Sequence, residues 1–281
     1  MTTMNTASNS ASNAERNAAP GGGSEAATNG AAGPPVPRDF EGRVAVVIGG
    51  ASGMGRATAA LFAARGARVS LSDLDATRGA AVAAELTDAG ADVIFSAADI
   101  RSPSDLERLA ARTVEAFGRV DALFLSAGRV EAELGPMLEL YLQGPANCVA
   151  AFAPQLAESD APSITFTGST SGLRAHPGAP WYAAAKSGLV GMTRTLALDL
   201  AKQGIRVNAV CPSGVDTPML RATLRGSTEE IEAKLAGQAA RKPLRRWVGA
   251  EDVANAAVFL ASSQASMITG VSLPVDGGES L

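Results

Sequence analysis

The chain has 281 residues, 46% of them hydrophobic, and a formal net charge of -4 at pH 7. That composition supports an ordinary globular core, and no run of Lys or Arg could track a phosphate backbone, so nucleic acid is not an expected partner. Two cysteines, Cys148 and Cys211, and one histidine, His176, are too few for a disulfide framework or a zinc cluster. No stretch approaches the roughly 18 consecutive apolar residues of a membrane span, and the N-terminus lacks a basic start followed by an apolar segment. The expectation is a reduced, metal-free, cytoplasmic protein.

Residues 1–37 consist mainly of Ala, Asn, Ser, Gly and Pro, with almost no large apolar side chains to offset ordering entropy. They read as a disordered low-complexity tail, a neutral appendage or a partner-binding arm. No composition shift follows, so residues 38–281 are expected to form one domain. Within it, short β-branched runs at 43–48, 68–72, 92–96, 122–126, 163–167, 206–211 and 271–274 alternate with helical stretches at 53–65, 76–89, 103–117, 137–157, 180–203 and 251–262. Such alternation gives the α/β class, with parallel strands joined by helical crossovers. Most of the runs are apolar on consecutive residues, as strands covered on both faces should be.

After the first strand comes Ile48-Gly49-Gly50-Ala51-Ser52-Gly53-Met54-Gly55, which opens directly into a helix. Glycines let the backbone turn sharply and approach a pyrophosphate, whose charge the helix N-terminus attracts. The second strand ends in Asp73, about 20 residues further on, where a carboxylate accepts both adenosine ribose hydroxyls and repels a 2′-phosphate. No basic residue stands at Ser52 or Leu74, which favours NAD over NADP. Asp73 would also serve as a solvated strand end or a helix cap.

Tyr182 and Lys186 are four residues apart in an expected helix and so share a face. A phenol is a poor base at neutral pH, but a neighbouring ammonium and a positive nicotinamide ring favour phenolate. Ser169, at the end of the fifth strand, could donate a hydrogen bond to a substrate oxygen as charge develops there. Alone, the Tyr182-x-x-x-Lys186 pair would read equally as a half-exposed helix face.

Taken together, Gly49-x-x-x-Gly53-x-Gly55, Asp73, Ser169, Tyr182-x-x-x-Lys186 and Pro212-x-Gly214 stand in the order and spacing of one family. The chain resembles the short-chain dehydrogenase/reductase family over essentially all of residues 40–281. Asp99-Ile100 is similar to the pair beside the adenine, Ala127-Gly128 to the end of an Asn-Asn-Ala-Gly element, and Pro274-Val275-Asp276-Gly277-Gly278 to the C-terminal signature. The resemblance implies a doubly wound Rossmann-type single domain with a seven-stranded parallel sheet of order 3-2-1-4-5-6-7. It also implies that cofactor and substrate lie at the carboxyl ends of the strands.

By the same resemblance, Gly49, Ser52, Gly53, Met54, Gly55, Asp73, Asp99, Ile100, Ala127, Gly128, Tyr182, Lys186, Pro212 and Gly214 meet NAD, with Val215 and Thr217 at the carboxamide. Ser169, Tyr182 and Lys186 are the implied catalytic set. Residues from 219 to about 246 would form a mobile substrate lid, in which Glu229, Glu230, Glu232, Lys234 and Arg241 read as a solvated helix face. A homo-oligomer, tetramer or dimer, is implied as well.

Three departures from the pattern fall together. Leu125 and Ser126 stand where the family usually has two Asn residues, and Tyr141 stands where the resemblance expects the Asn of a proton relay. The segment from Gly128 to Tyr141 also looks short. Tyr141 would either carry a proton through its hydroxyl or fill the space left by that segment.

The leading expectation is an NAD-dependent oxidoreductase moving a hydride between nicotinamide and a secondary alcohol or ketone carbon, with Tyr182 as general acid/base. The alternative is an NAD-binding regulatory or scaffold protein with the fold but little turnover. A dehydratase or epimerase would call for a longer C-terminal substrate domain. Ala175, His176, Trp181 and Met219 suggest a mixed apolar substrate pocket.

Overall fold

The central strands of the sheet are buried at every position and take cover on both faces, as parallel strands joined by helical crossovers require. In a computed structural model that describes residues 37–129, 133–175, 177–217, 220–221 and 224–281, β1 (Val44–Ile48) is buried at every position. Val46 and Ile48 join one hydrophobic cluster, while Ala45 and Val47 join another on the opposite face. The tail, His176 and Met219 lie outside the described residues.

The other strands are β2 (Arg68–Asp73), β3 (Val93–Ala97), β4 (Ala122–Leu125), β5 (Ser163–Thr167), β6 (Arg206–Pro212) and β7 (Ser272–Val275). They form one seven-stranded sheet of order β3-β2-β1-β4-β5-β6-β7, with every neighbouring pair parallel. The helices are α1 (Gly53–Ala64), α2 (Ala76–Asp88), α3 (Pro103–Phe117), α4 (Leu134–Leu138), α5 (Gly144–Leu156), α6 (Pro180–Asp199), α7 (Thr228–Ala239) and α8 (Ala250–Ala261). Side chains of α3, α5 and α6 fill the first cluster, and those of α1, α2 and α8 fill the second. This is the doubly wound arrangement. Strand order reverses between β1 and β4, which opens a crevice at their carboxyl ends.

Local chemistry sets the element ends. Ser102 accepts from the Asp105 amide, Pro103 occupies the first turn of α3, and Gly118 ends it at φ 78°. Arg206 donates to the Leu260, Ala261 and Ser262 carbonyls, satisfying acceptors at the end of α8. The helix expected over residues 137–157 runs without interruption from Leu134 to Leu156, but it contains a feature the expectation lacked: between α4 and α5 lies a π turn, Glu139–Gln143, in which the Gly144 amide bonds to the Glu139 carbonyl. Pro145 lacks the N–H that would reach Tyr141 in a continuous α-helix, so the register widens by one residue just before it.

Candidate active site

β1 ends at Ile48 and the chain turns at Gly49, where φ is 83°. A Cβ on Gly49 would lie 2.4 Å from the Ala127 nitrogen, and one on Gly55 would lie 1.9 Å from the Gly49 carbonyl oxygen. Only glycine lets α1, its preceding turn and the loop after β4 pack backbone to backbone. Ser52 caps α1 in an extended conformation, but its side chain does not accept from the first-turn amides.

A groove of about 820 Å³ runs along the carboxyl ends of β1 to β4, within the size range of cofactor sites. Gly49, Ser52, Gly53 and Met54 line it from the turn, Asp73 from β2, Asp99 and Ile100 from the loop after β3, Ala127 and Gly128 from the loop after β4, and Thr217 from beyond β6. Both Asp73 oxygens are engaged: Oδ2 accepts from the Ala51 amide at 2.9 Å and Oδ1 from the Asp75 amide at 3.0 Å. The carboxylate thus ties the glycine turn to the end of β2, while Asp75 caps α2.

Six expected cofactor residues do not line this groove: Tyr182 and Lys186 stand in a neighbouring cluster, and four others lie elsewhere. Gly55 packs behind the turn, Pro212 closes β6 in the core, Val215 is buried and bridged to Val248, and Gly214 faces a separate cavity of about 350 Å³. Lys242, Trp247 and Glu279 line that second cavity, with Lys242 paired to Glu279. Sequence reasoning missed three groove residues, Arg78, Arg101 and Arg129. Arg78 pairs with Asp75 at 2.7 Å and Arg101 with Asp99 at 2.6 Å. The three-residue spacing from Asp75 to Arg78 was the available signal.

Past β5, the Ser169 hydroxyl accepts from the Ser171 amide at 3.1 Å. Tyr182 and Lys186 follow one turn apart on α6. Burial raises the Tyr182 phenol above its ordinary value, and the nearby Ser169 hydroxyl pulls it back. Lys186 is 3% exposed, donates from Nζ to the Thr167 carbonyl at 2.7 Å, and is brought down to about 7 by burial. Beneath them, burial pushes the Cys211 thiol up to about 11, against the Ser169 amide and the Lys186 charge.

Tyr141 joins this cluster to the groove. Its hydroxyl donates to the Arg129 carbonyl at 2.9 Å, and its ring meets Tyr182 edge to face with centroids 5.6 Å apart. Leu140 lines the groove, and a Cβ on Gly128 would come within 2.6 Å of the Tyr141 oxygen. Leu125 is buried in the apolar cluster shared with α5, and the Ser126 amide bonds to Ile48, so neither reproduces the polar support of an Asn pair. Trp181 is exposed at the start of α6. Glu232, on α7, pairs with Arg221, which also holds Asp216, and its companion acids face solvent.

A strand-turn-helix groove with an acid at the second strand, beside a Ser, Tyr and Lys cluster, defines the class of nicotinamide-dependent oxidoreductases. A family model described as Enoyl-(Acyl carrier protein) reductase matches residues 49–280. The chain is 32% identical over 254 residues to levodione reductase of Leifsonia aquatica, covering 86% of this chain and 95% of that protein. It is 36% identical over 249 residues to cis-4-hydroxycyclohexanecarboxylate dehydrogenase of Sinomonas cyclohexanicum, covering 85% and 97%. The crystal structure of levodione reductase superposes with a TM-score of 0.80 at 31% identity, covering 86% of this chain and 98% of that one.

The chain belongs to the short-chain dehydrogenase/reductase family. It is an oxidoreductase acting on CH–OH or C=O groups with a nicotinamide cofactor. Among the described residues no helix is long and apolar enough to cross a membrane.

Proposed function

We propose that the protein is an NAD-dependent dehydrogenase/reductase acting on a secondary alcohol or ketone, in which Tyr182 exchanges the substrate proton. The observation that carries this reading is the convergence of Ser169, Tyr182 and Lys186 beside the groove: the Ser169 hydroxyl stands near the Tyr182 phenol, and Lys186 lies 5.7 Å from the Tyr182 ring. A bound nicotinamide supplies or accepts the hydride. In reduction the Tyr182 hydroxyl donates its proton to the carbonyl oxygen; in oxidation its phenolate removes the hydroxyl proton. Ser169 donates a hydrogen bond to that oxygen and holds it against Tyr182. Lys186, when charged, favours the phenolate and reaches the nicotinamide ribose.

The groove fits the cofactor. Its glycines allow close backbone approach and Asp73 offers a carboxylate to the ribose hydroxyls. Asp73 also repels a 2′-phosphate, and the nearby Arg78 is engaged by Asp75, so NAD is the preferred dinucleotide. Gly214 and Val215, beyond β6, would support the carboxamide end together with Thr217. The name cis-4-hydroxycyclohexanecarboxylate dehydrogenase describes chemistry on a six-membered carbocycle, and cyclic ketones head the substrate panel on that ground. A cytoplasmic homo-oligomer, dimer or tetramer, completes the reading; exposed Leu198 and Met267 are apolar surface such an assembly would cover.

The Tyr141 ring, where the resemblance expects Asn, favours a second reading: an NAD-binding regulatory protein with little turnover. Fluorescence titration with NADH and NADPH, followed by cyclic and acyclic ketones, separates the two. Tighter binding of NADH and its consumption with at least one ketone is the expected result. NADH binding without consumption across the panel gives the regulatory reading, and failure to bind either cofactor sinks both.

A further inference from the structure

Lys186 is a cation removed from water with few groups to replace its hydration. On its own helix it faces Tyr182; the end of β5 contributes the Thr167 carbonyl and Ser169, β6 the Cys211 thiol, and the π turn the ring of Tyr141. Among the described residues no carboxylate pairs with it. One carbonyl at 2.7 Å and two aromatic faces are what remain, and the nearer face is Tyr141, whose centroid lies 4.1 Å from Nζ against 5.7 Å for Tyr182.

We propose that Tyr141 is a positioning residue whose ring face holds the Lys186 ammonium and thereby maintains the charge that activates Tyr182. The inference rests on Tyr182 as the proton-exchanging group. A cation over an aromatic face is attracted by the negative potential of the ring, and most strongly when desolvated. The ring is fixed in three ways. Its hydroxyl donates to the Arg129 carbonyl, it packs with Met137 and Ala185, and its plane stands at 87° to that of Tyr182. The π turn before Pro145 sets the position of this ring. An Asn side chain there would offer no such face, so this chain supports its lysine through a group of different chemistry.

The Tyr141→Phe variant keeps the aromatic face and the Tyr141→Leu variant removes it. Lys186 titrates near 7 in the cofactor-free protein, well below Tyr182, so the lysine itself is followed, by carbon NMR of its Cε in protein carrying labelled lysine, with Lys186→Met identifying its signal. Without the face Lys186 gives up its proton more readily, and its midpoint in Tyr141→Leu is expected about one pH unit below that in Tyr141→Phe.

Tyr141→Met, which fills the space with a flexible side chain, serves if the Leu variant fails to fold, and is expected to show the same downward shift of Lys186. Equal midpoints for the aromatic and aliphatic variants overturn the proposal. The underlying reading fails separately: Tyr182→Phe retaining turnover sinks Tyr182 as the proton carrier. An inactive Tyr182→Phe together with equal midpoints sinks only the role of Tyr141.

Discussion

At the scale of single residues, Asp73 shows how one carboxylate serves structure and specificity together. It already accepts two backbone amides, so removing it loosens the glycine turn as well as the ribose contact. Asp73→Ser is expected to weaken NADH binding about tenfold or more and to improve NADPH relative to NADH, because it removes a charge that repels a 2′-phosphate. Arg78 lines the groove and would meet that phosphate only by giving up its pairing with Asp75. Competitive fluorescence titration of both cofactors checks this, and an unchanged preference would remove Asp73 from the specificity argument. Asp73 was legible in the sequence because it ends a strand at the right distance from the glycines. Arg78, Arg101 and Arg129 were not, since they come from three separate crossovers and meet only when the strands align.

Among the elements, the sheet was legible wherever burial on both faces wrote consecutive apolar residues, as in β1 and β4, whose positions are all buried. The π turn between α4 and α5 was not. The apolar pattern runs through it, and the wide turn comes from one missing amide at Pro145, a backbone effect that hydrophobic periodicity does not record. A second feature hidden from periodicity is Asp121, buried at the head of β4. It accepts from the Val44 amide at 2.8 Å, from Arg119 at 2.6 Å and from the Ser159 hydroxyl at 2.5 Å, joining β1, β4 and the turn into β5. Asp121→Ala leaves those donors unmatched and is expected to cost about 3 kcal/mol, or roughly 10 °C in Tm at this chain length. Thermal unfolding followed by circular dichroism measures it, and a loss under 2 °C would contradict this role for Asp121.

For the whole molecule, the buried lysine trades stability for chemistry. In the folded cofactor-free protein Lys186 sits near 7 against an ordinary 10.5, so between those values the unfolded chain holds more protons than the folded one. Stability from this group is therefore lowest below pH 7 and rises as pH climbs toward 10.5. Lys186→Met removes that dependence. Its Tm relative to the wild type is expected to be most favourable below pH 7 and to decline steadily toward pH 10; a constant difference across that range would contradict the burial argument.

The central claim is that Tyr182 exchanges the proton while the fold holds the cofactor independently of it. The direct test follows NADH consumption by the wild type and by Tyr182→Phe side by side, with a cyclic ketone that the wild type reduces, and with NADH affinity measured on both. The account predicts a loss of at least 100-fold in turnover, with NADH affinity changed less than about threefold. Turnover in the variant within a few-fold of the wild type would contradict it.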